Sequence, residues 1–493
     1  MKYKLIGLSA VALTLIAIIF ISKSMPEDNG TRYIEHIIAE EKTDCESHID
    51  DTFCTHLPVV MIDTQGVSIP GRPIYDENHV RIGHILAEDN SEVITAKIKT
   101  FDNEKYNNHI NDTPTLSSDI KIRYRGNSSR SFDKPNYYIR LINEDGTNNS
   151  QSFIGMDAHH EWTLHGPFLD KSLIRNYMWY NIAGEIMEYA PNVRFCEVYV
   201  NEQYQGLYLA VETITAGKEG ARLNIELNKK DNSFSGYIIK LDKGDTNNLQ
   251  NIMPFTNYAL RTHMQHEIVY PGEKNITHEL HEAIKDDFSF FEKTLYSYDF
   301  DNPKYGYENF IDVNSFVDYF LINELTSNYD AGWMSTYMYK DIDGKYKMCV
   351  WDFNSACDFY QDSVMDSNHF EMQNCLWYVM LIKDEAFVER IIQRYWELRE
   401  TVFSEEYLYR FIDETVAYLG DAIDRNYLVW GYTFDPKYDM LSPIERNPRT
   451  YEDSISQIKN FLHTRLSWTD ENIETLRQYS SSSKIKKFNE NAN

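Results

Sequence analysis

The chain has 493 residues, of which 42% are hydrophobic and 14% aromatic, with 36 tyrosines. That length exceeds one ordinary core and suits two or three structural units, and the composition excludes a disordered chain. A formal charge of −28 excludes nucleic acid as a partner, because its phosphates would be repelled.

Lys2 and Lys4 precede an apolar run, Leu5–Ile21, interrupted by Gly7, Ser9 and Thr14. As a helix the run reaches about 26 Å against a hydrocarbon core of ~30 Å, so flanking residues complete a span. Ser22-Lys23-Ser24 is small-x-small without Ala-x-Ala. Residues 1–25 are therefore expected to form an uncleaved signal anchor, with a cleaved signal peptide as the alternative. Either exports the bulk of the protein, and the uncleaved anchor would hold it at the membrane on the extracellular face.

Residues 26–56 are polar and read as a stalk. Cys45 and Cys54 lie there with His48 and His56. A local Cys45–Cys54 disulfide is the first expectation in an exported chain; zinc, or neither, stays open. Cys196, Cys349, Cys357 and Cys375 sit in apolar or aromatic surroundings and read as buried thiols, with a Cys357–Cys375 pairing left open.

Leu57–Ile62, Val80–Ile85 and Ser91–Phe101 are strand-like, so residues 57–116 are predicted to form a small β-rich, sandwich-like unit. From 117 to 478 the pattern is α+β. Ile120–Arg125 and Asn136–Ile142 flank Gly126-Asn127-Ser128-Ser129, with Arg125, Arg130, Lys134 and Arg140 around the loop. Backbone N–H groups and cations in such a loop can cradle phosphates, although a plain hairpin with exposed basic residues has the same pattern. Asp170 is placed to cap a helix carrying Arg175 and Glu185, both expected at the surface. Val193–Val200 and Gln203–Glu212 form a hairpin. Leu249–Val269 reads as a loop or lid, and His278–Tyr298 as a helix.

Asp312 starts a helix whose stripe of Val313, Phe316, Val317, Phe320, Leu321 and Leu325 is core. Asp330 follows it. Ser335–Lys340 and Lys345–Trp351 then alternate around Asp341-Ile342-Asp343-Gly344, a strong hairpin signal. Antiparallel pairing brings Asp330 and Asp352 to the open end opposite that turn. One carboxylate to accept a hydroxyl proton and one to hold Mg²⁺ is what phosphoryl transfer requires. Glu385–Phe403, Glu405–Asn426 and Glu452–Arg477 are predicted helices, and 479–493 is a polar tail.

In order, these segments resemble the spore coat protein H (CotH) kinase family, an atypical protein-kinase-like fold. The resemblance rests on Arg125–Ser129, Lys134-Pro135, Tyr138–Leu141, Glu161-Trp162, Asp170–Asn176 and Glu197–Asn201. It continues through Tyr204–Tyr208, Glu212, Tyr319–Leu325, the Asp330 loop, Ser335–Lys340 and Trp351–Phe353. It covers roughly residues 57–475. It implies ATP with Mg²⁺ (or Mn²⁺) and protein substrates, Asp330 as catalytic base and Asp352 as metal ligand. Arg125, Lys134, Arg140 and Glu212 would lie at the nucleotide. Ser335 and Asn354 would complete the metal site, where many members carry Asn and Asp. Each change removes ligand strength or charge, so the same resemblance also suits a kinase-fold scaffold that binds surface or spore-envelope proteins without catalysis.

Overall fold

The computed structural model describes residues 53–480, except 218–222, 224, 226, 229–232, 235, 245–248, 341–343 and 366, together with Arg32, 34–39 and Lys42. The Leu5–Ile21 run, Cys45 and the 341–343 turn therefore lie outside the described residues. No helix among the described residues is long and apolar enough to cross a membrane. Within the segment read as a stalk, Glu35 is buried, held by Arg194 Nε and the Phe195 N–H at 2.8 Å each.

Strands occur at β1 (Val59–Asp63), β2 (Pro73–Tyr75), β3 (Arg81–His84), β4 (Ile94–Phe101), β5 (Leu116–Arg125), β6 (Asn136–Ile142), β7 (Glu161–His165), β8 (Val193–Val200) and β9 (Gln203–Glu212). Seven of them close a barrel in the order β7-β9-β8-β1-β4-β5-β6. All its pairings are antiparallel except β1–β8, which is parallel. Alternation drives the closure. Ile94, Ala96 and Ile98 turn inward while Thr95, Lys97 and Lys99 face out. They meet Ile120, Ile122, Ile139, Leu141, Trp162, Leu164 and Val198 in one interior. Closure leaves no open strand edge.

The sandwich-like unit expected over 57–116 is thus replaced: β1 and β4 are barrel staves, because their apolar faces are completed only by strands from 116–212. Strands β2 and β3 form a separate hairpin over the mouth of the β5–β6 loop.

The second layer is a five-stranded antiparallel sheet, β11-β12-β10-β13-β14, from β10 (Tyr237–Asp242), β11 (Asn251–Ile252), β12 (Gln265–Tyr270), β13 (Thr336–Lys340) and β14 (Tyr346–Cys349). The segment read as a loop or lid thus supplies two strands; His266 and Ile268 point into the core from β12.

Helices α1 (Arg175–Ile186), α2 (His278–Leu295), α3 (Val313–Thr326), α4 (Glu385–Arg399), α5 (Glu405–Leu419), α6 (Asp421–Trp430) and α7 (Tyr451–Asn472) complete the body. The helix expected to run through 405–426 breaks at Gly420, at φ +45°. α1 has buried residues all round, from Arg175 to Ala183, because barrel, sheet and helices enclose it. It begins at Arg175, five residues after the expected cap. Asp170 instead organises the preceding turn, accepting from the Ser172 and Arg175 N–H groups at 3.0 and 2.9 Å. Arg175 is fully buried rather than exposed, paired with Asp170 at 2.5 Å. Glu185 is exposed, as expected, and accepts from the Tyr407 hydroxyl.

Helix α6 ties the barrel to the helical body. Arg425 grips the buried Glu197 with two bonds of 2.9 and 2.8 Å. Asn426 Oδ1 accepts from the Leu207 N–H at 3.1 Å, and Trp430 donates to the Gln205 carbonyl at 2.8 Å. This approach requires Gly206, at φ +92°, where a Cβ would stand 2.5 Å from Asn426 Oδ1.

Candidate active site

The site is built at the open end of β13–β14. The register Tyr337↔Cys349 to Lys340↔Tyr346 puts the chain before β13 beside the chain after β14. Helix α3 starts on Asp312, whose side chain accepts from the Ser315 N–H, and ends on Ser327 in the left-handed region at φ +42°. That turn releases the chain into the Asp330 loop. Asn328 locks the loop, donating to Asn323 Oδ1 at 3.0 Å and to the Asp352 carbonyl at 3.2 Å. The two aspartate segments are therefore bonded directly.

Ser335 and Asp352 both hold positive φ, +46° and +59°, as do Cys357 and Asp358. Non-glycine residues in this region cost energy and persist where their surroundings over-determine them, commonly at functional sites. Here the surroundings are visible. The Tyr180 hydroxyl accepts from the Asp352 N–H at 3.0 Å. Asn176 Oδ1 accepts from the Phe353 N–H at 2.8 Å, and its Nδ2 donates to Asn354 Oδ1 at 2.8 Å and faces His165 Nε2 at 3.0 Å. Arg175 Nε donates to the Ala356 carbonyl at 3.0 Å, and Cys357 N–H to the Thr326 carbonyl at 2.7 Å.

The electrostatics separate the two aspartates. Burial and the Asp352 charge push Asp330 up to about 7, against a partial pull from Lys243. Among the described residues none donates a hydrogen bond to its carboxylate. Burial raises Asp352 too, but the Asn354 N–H at 3.2 Å and the Arg125 charge favour its ionised form. Asp242, at the end of β10, acts on both as a third carboxylate. Burial holds His165 down to about 4, so it is a neutral member of the Asn176 network.

The expected residues divide. Arg125 reaches the site, stacking over Trp351 at 4.8 Å. Ser335 follows the Asp330 loop directly, and its neighbour Thr336 pairs with Leu241, which places Asp242 across from Ser335. Lys134, Arg140 and Glu212 are engaged elsewhere. Lys134 is buried on Asn426 at 2.7 Å and on the Tyr208 ring, and burial drives its amine well below the usual lysine range. Arg140 lies 3.8 Å from Glu161, its cross-strand neighbour on the outer barrel face. Glu212 accepts from the Asn192 N–H at 2.9 Å and faces the charge of Arg32. Cys196, Cys349, Cys357 and Cys375 are buried free thiols.

Asn176, Tyr180, His165 and Asp242 were not anticipated as site residues. The signal for the first two was available: polar side chains on a helix with no solvent face need buried partners.

Asp352, Asn354 and Ser335 present hard oxygen donors, the chemistry Mg²⁺ or Mn²⁺ prefers, and Mg²⁺ commonly takes one or two carboxylates plus substrate phosphates. No group of three or more His, Cys, Asp or Glu among the described residues could hold a metal. One carboxylate with two neutral oxygens would suit an ion shared with a phosphate ligand better than an all-protein cage.

The family model described as CotH kinase protein matches residues 122–469. The inner spore coat protein H of Bacillus subtilis (strain 168) is 21% identical over 299 residues, which cover 59% of this chain and 74% of that protein. With the family model spanning well over half its length, the chain belongs to the CotH kinase protein family.

Proposed function

We propose that this protein transfers the γ-phosphoryl group of ATP to serine or threonine hydroxyls of spore-coat or cell-surface proteins, on a protein-kinase-like fold. The observation that carries this reading is the Asp330 carboxylate, held near 7 beside Asp352. A base of that affinity accepts a hydroxyl proton near neutrality. The acceptor oxygen bonds to the γ-phosphorus as the bond to the β–γ bridging oxygen breaks. ADP leaves and the proton rests on Asp330. Arg125 faces the negative charge of the phosphates. Asp352, Asn354 and Ser335 would hold Mg²⁺ or Mn²⁺, which when bound neutralises phosphate charge. The Asn176–Tyr180 network keeps Asp352 oriented. The Leu5–Ile21 run would anchor the protein with its body outward, and the relative's name, inner spore coat protein H, favours spore-envelope substrates.

The test uses purified full-length protein, labelled ATP, either metal and a spore-coat protein extract. Transfer that is lost in Asp330→Asn while ATP affinity stays intact supports the reading. ATP binding without transfer under either metal would replace it with the scaffold reading, to which Ser335 and Asn354 point.

A further inference from the structure

Hairpin β2–β3 is fastened along the whole β5–β6 loop. The Pro70 carbonyl accepts from the Tyr124 N–H at 2.9 Å. Arg72 lies over the Tyr124 ring at 4.7 Å, and its Nη1 donates to the Arg130 carbonyl at 3.0 Å and to the Phe132 carbonyl. The Tyr75 and Ser131 hydroxyls share a hydrogen bond of 2.8 Å, and Arg81 donates to Asn127 Oδ1. The loop's own bonds are long: Ser129 Oγ to the Arg125 carbonyl at 3.4 Å, and Phe132 N–H to the Ser129 carbonyl at 3.3 Å. Gly126 sits at φ +107°, with no room for a Cβ beside Ser129 Oγ. The loop's shape is therefore set largely from outside it, by residues outside the family-matched 122–469.

Charge gives the hairpin a second effect. In a chain of −28 formal charge, Arg72 and Arg81 join Arg123, Arg125 and Arg130 around one loop. The Arg123 guanidinium is lowered by burial and then by Arg125, with Tyr138, Glu92 and Glu161 acting the other way. Five cations gathered against the overall sign suit a polyanion. Backbone N–H groups of a turn suit the same ligand.

We propose that the β2–β3 hairpin, with Arg72, is the positioning element of a polyphosphate site: it holds the Gly126–Ser131 backbone in a receiving shape and adds Arg72 and Arg81 to the field at the nucleotide phosphates. This rests on the ATP reading above. Arg72, Tyr75 and Arg81 are positioning residues for phosphate binding, and the chemistry stays with Asp330.

The test is the double variant Tyr75→Phe/Arg81→Ala in the full-length protein. Its hydrogen bonds to the loop are solvent-exposed, so the fold survives their loss. Calorimetry with ATP and Mg²⁺ or Mn²⁺ should show affinity weakened about tenfold. Adenosine binding should be unchanged, and amide exchange over 126–132 should accelerate. Arg81→Lys, which keeps the charge, should recover part of the ATP affinity. Equal weakening of adenosine, or unchanged ATP affinity, refutes the hairpin's role while wild type still binds ATP. If wild type binds no ATP under either metal, the nucleotide reading fails first and this inference with it.

Discussion

Asp330→Asn should stabilise the protein above neutral pH while abolishing phosphate transfer. The carboxyl is held near 7 in the fold by burial and by Asp352, and near the ordinary aspartate value once unfolded. The folded state therefore binds the proton more tightly, and raising the pH through this window removes stability. Fully expressed, the penalty is about 4 kcal/mol above neutrality. The group is half-buried, and screening by solvent reduces this to roughly 1–2 kcal/mol. Asparagine carries no such penalty and also relieves Asp352 of a like charge. Urea unfolding of wild type and variant at about pH 5 and about pH 8 measures it. The variant's advantage should grow by about 1 kcal/mol or more between the two. An advantage that is flat with pH, or a loss of stability at the higher pH, would refute the claim that Asp330 is an elevated carboxylate. Transfer should fall by ~10²–10⁴.

Asp352→Ala should weaken metal-dependent ATP binding together with turnover, read by calorimetry with and without Mg²⁺; unchanged metal dependence would remove it from the site. Ser335→Asn should raise transfer or relax a need for Mn²⁺, measured as rate against metal identity. Arg465→Ala leaves Glu324 buried without the guanidinium that now holds it and the Ser367 and His369 carbonyls. It should cost about 3–5 kcal/mol in urea unfolding, and a loss under 1 kcal/mol would contradict a buried clamp. Full-length protein should fractionate with membranes through Leu5–Ile21 and be protease-accessible on intact protoplasts; a soluble form starting near Ser24 would show cleavage instead.

The Asp330–Asp352 juxtaposition was legible in the sequence because a hairpin with an Asp-Gly turn dictates which ends meet. The α3 stripe and the Asp312 start were legible for the same local reason. Lys134, Arg140 and Glu212 were harder to place, because a strand's face and its position around a barrel depend on non-local register. Arg140 is turned outward beside Glu161 by pairing between β6 and β7, and Lys134 is captured by Asn426 from nearly 300 residues away. The 249–269 segment hid its strands because its short alternation is interrupted by the 255–258 helical turn. Asp242 gave no local sign at all: its role comes from the neighbour that β10 pairs with.

Helix α6 has a mechanical consequence. With Arg425, Asn426 and Trp430 fastened to three points on β8 and β9, pivoting the barrel away from the helical body would break a buried ion pair and two further hydrogen bonds at once. On the proposed ATP reading, ligand traffic is expected to pass through small local displacements at the rim, in the 126–132 turn and the strand ends, while the molecule keeps one outline. Its radius of gyration in solution should be the same with and without nucleotide, and turnover should be paced by rim fluctuations rather than by closure of a large cleft.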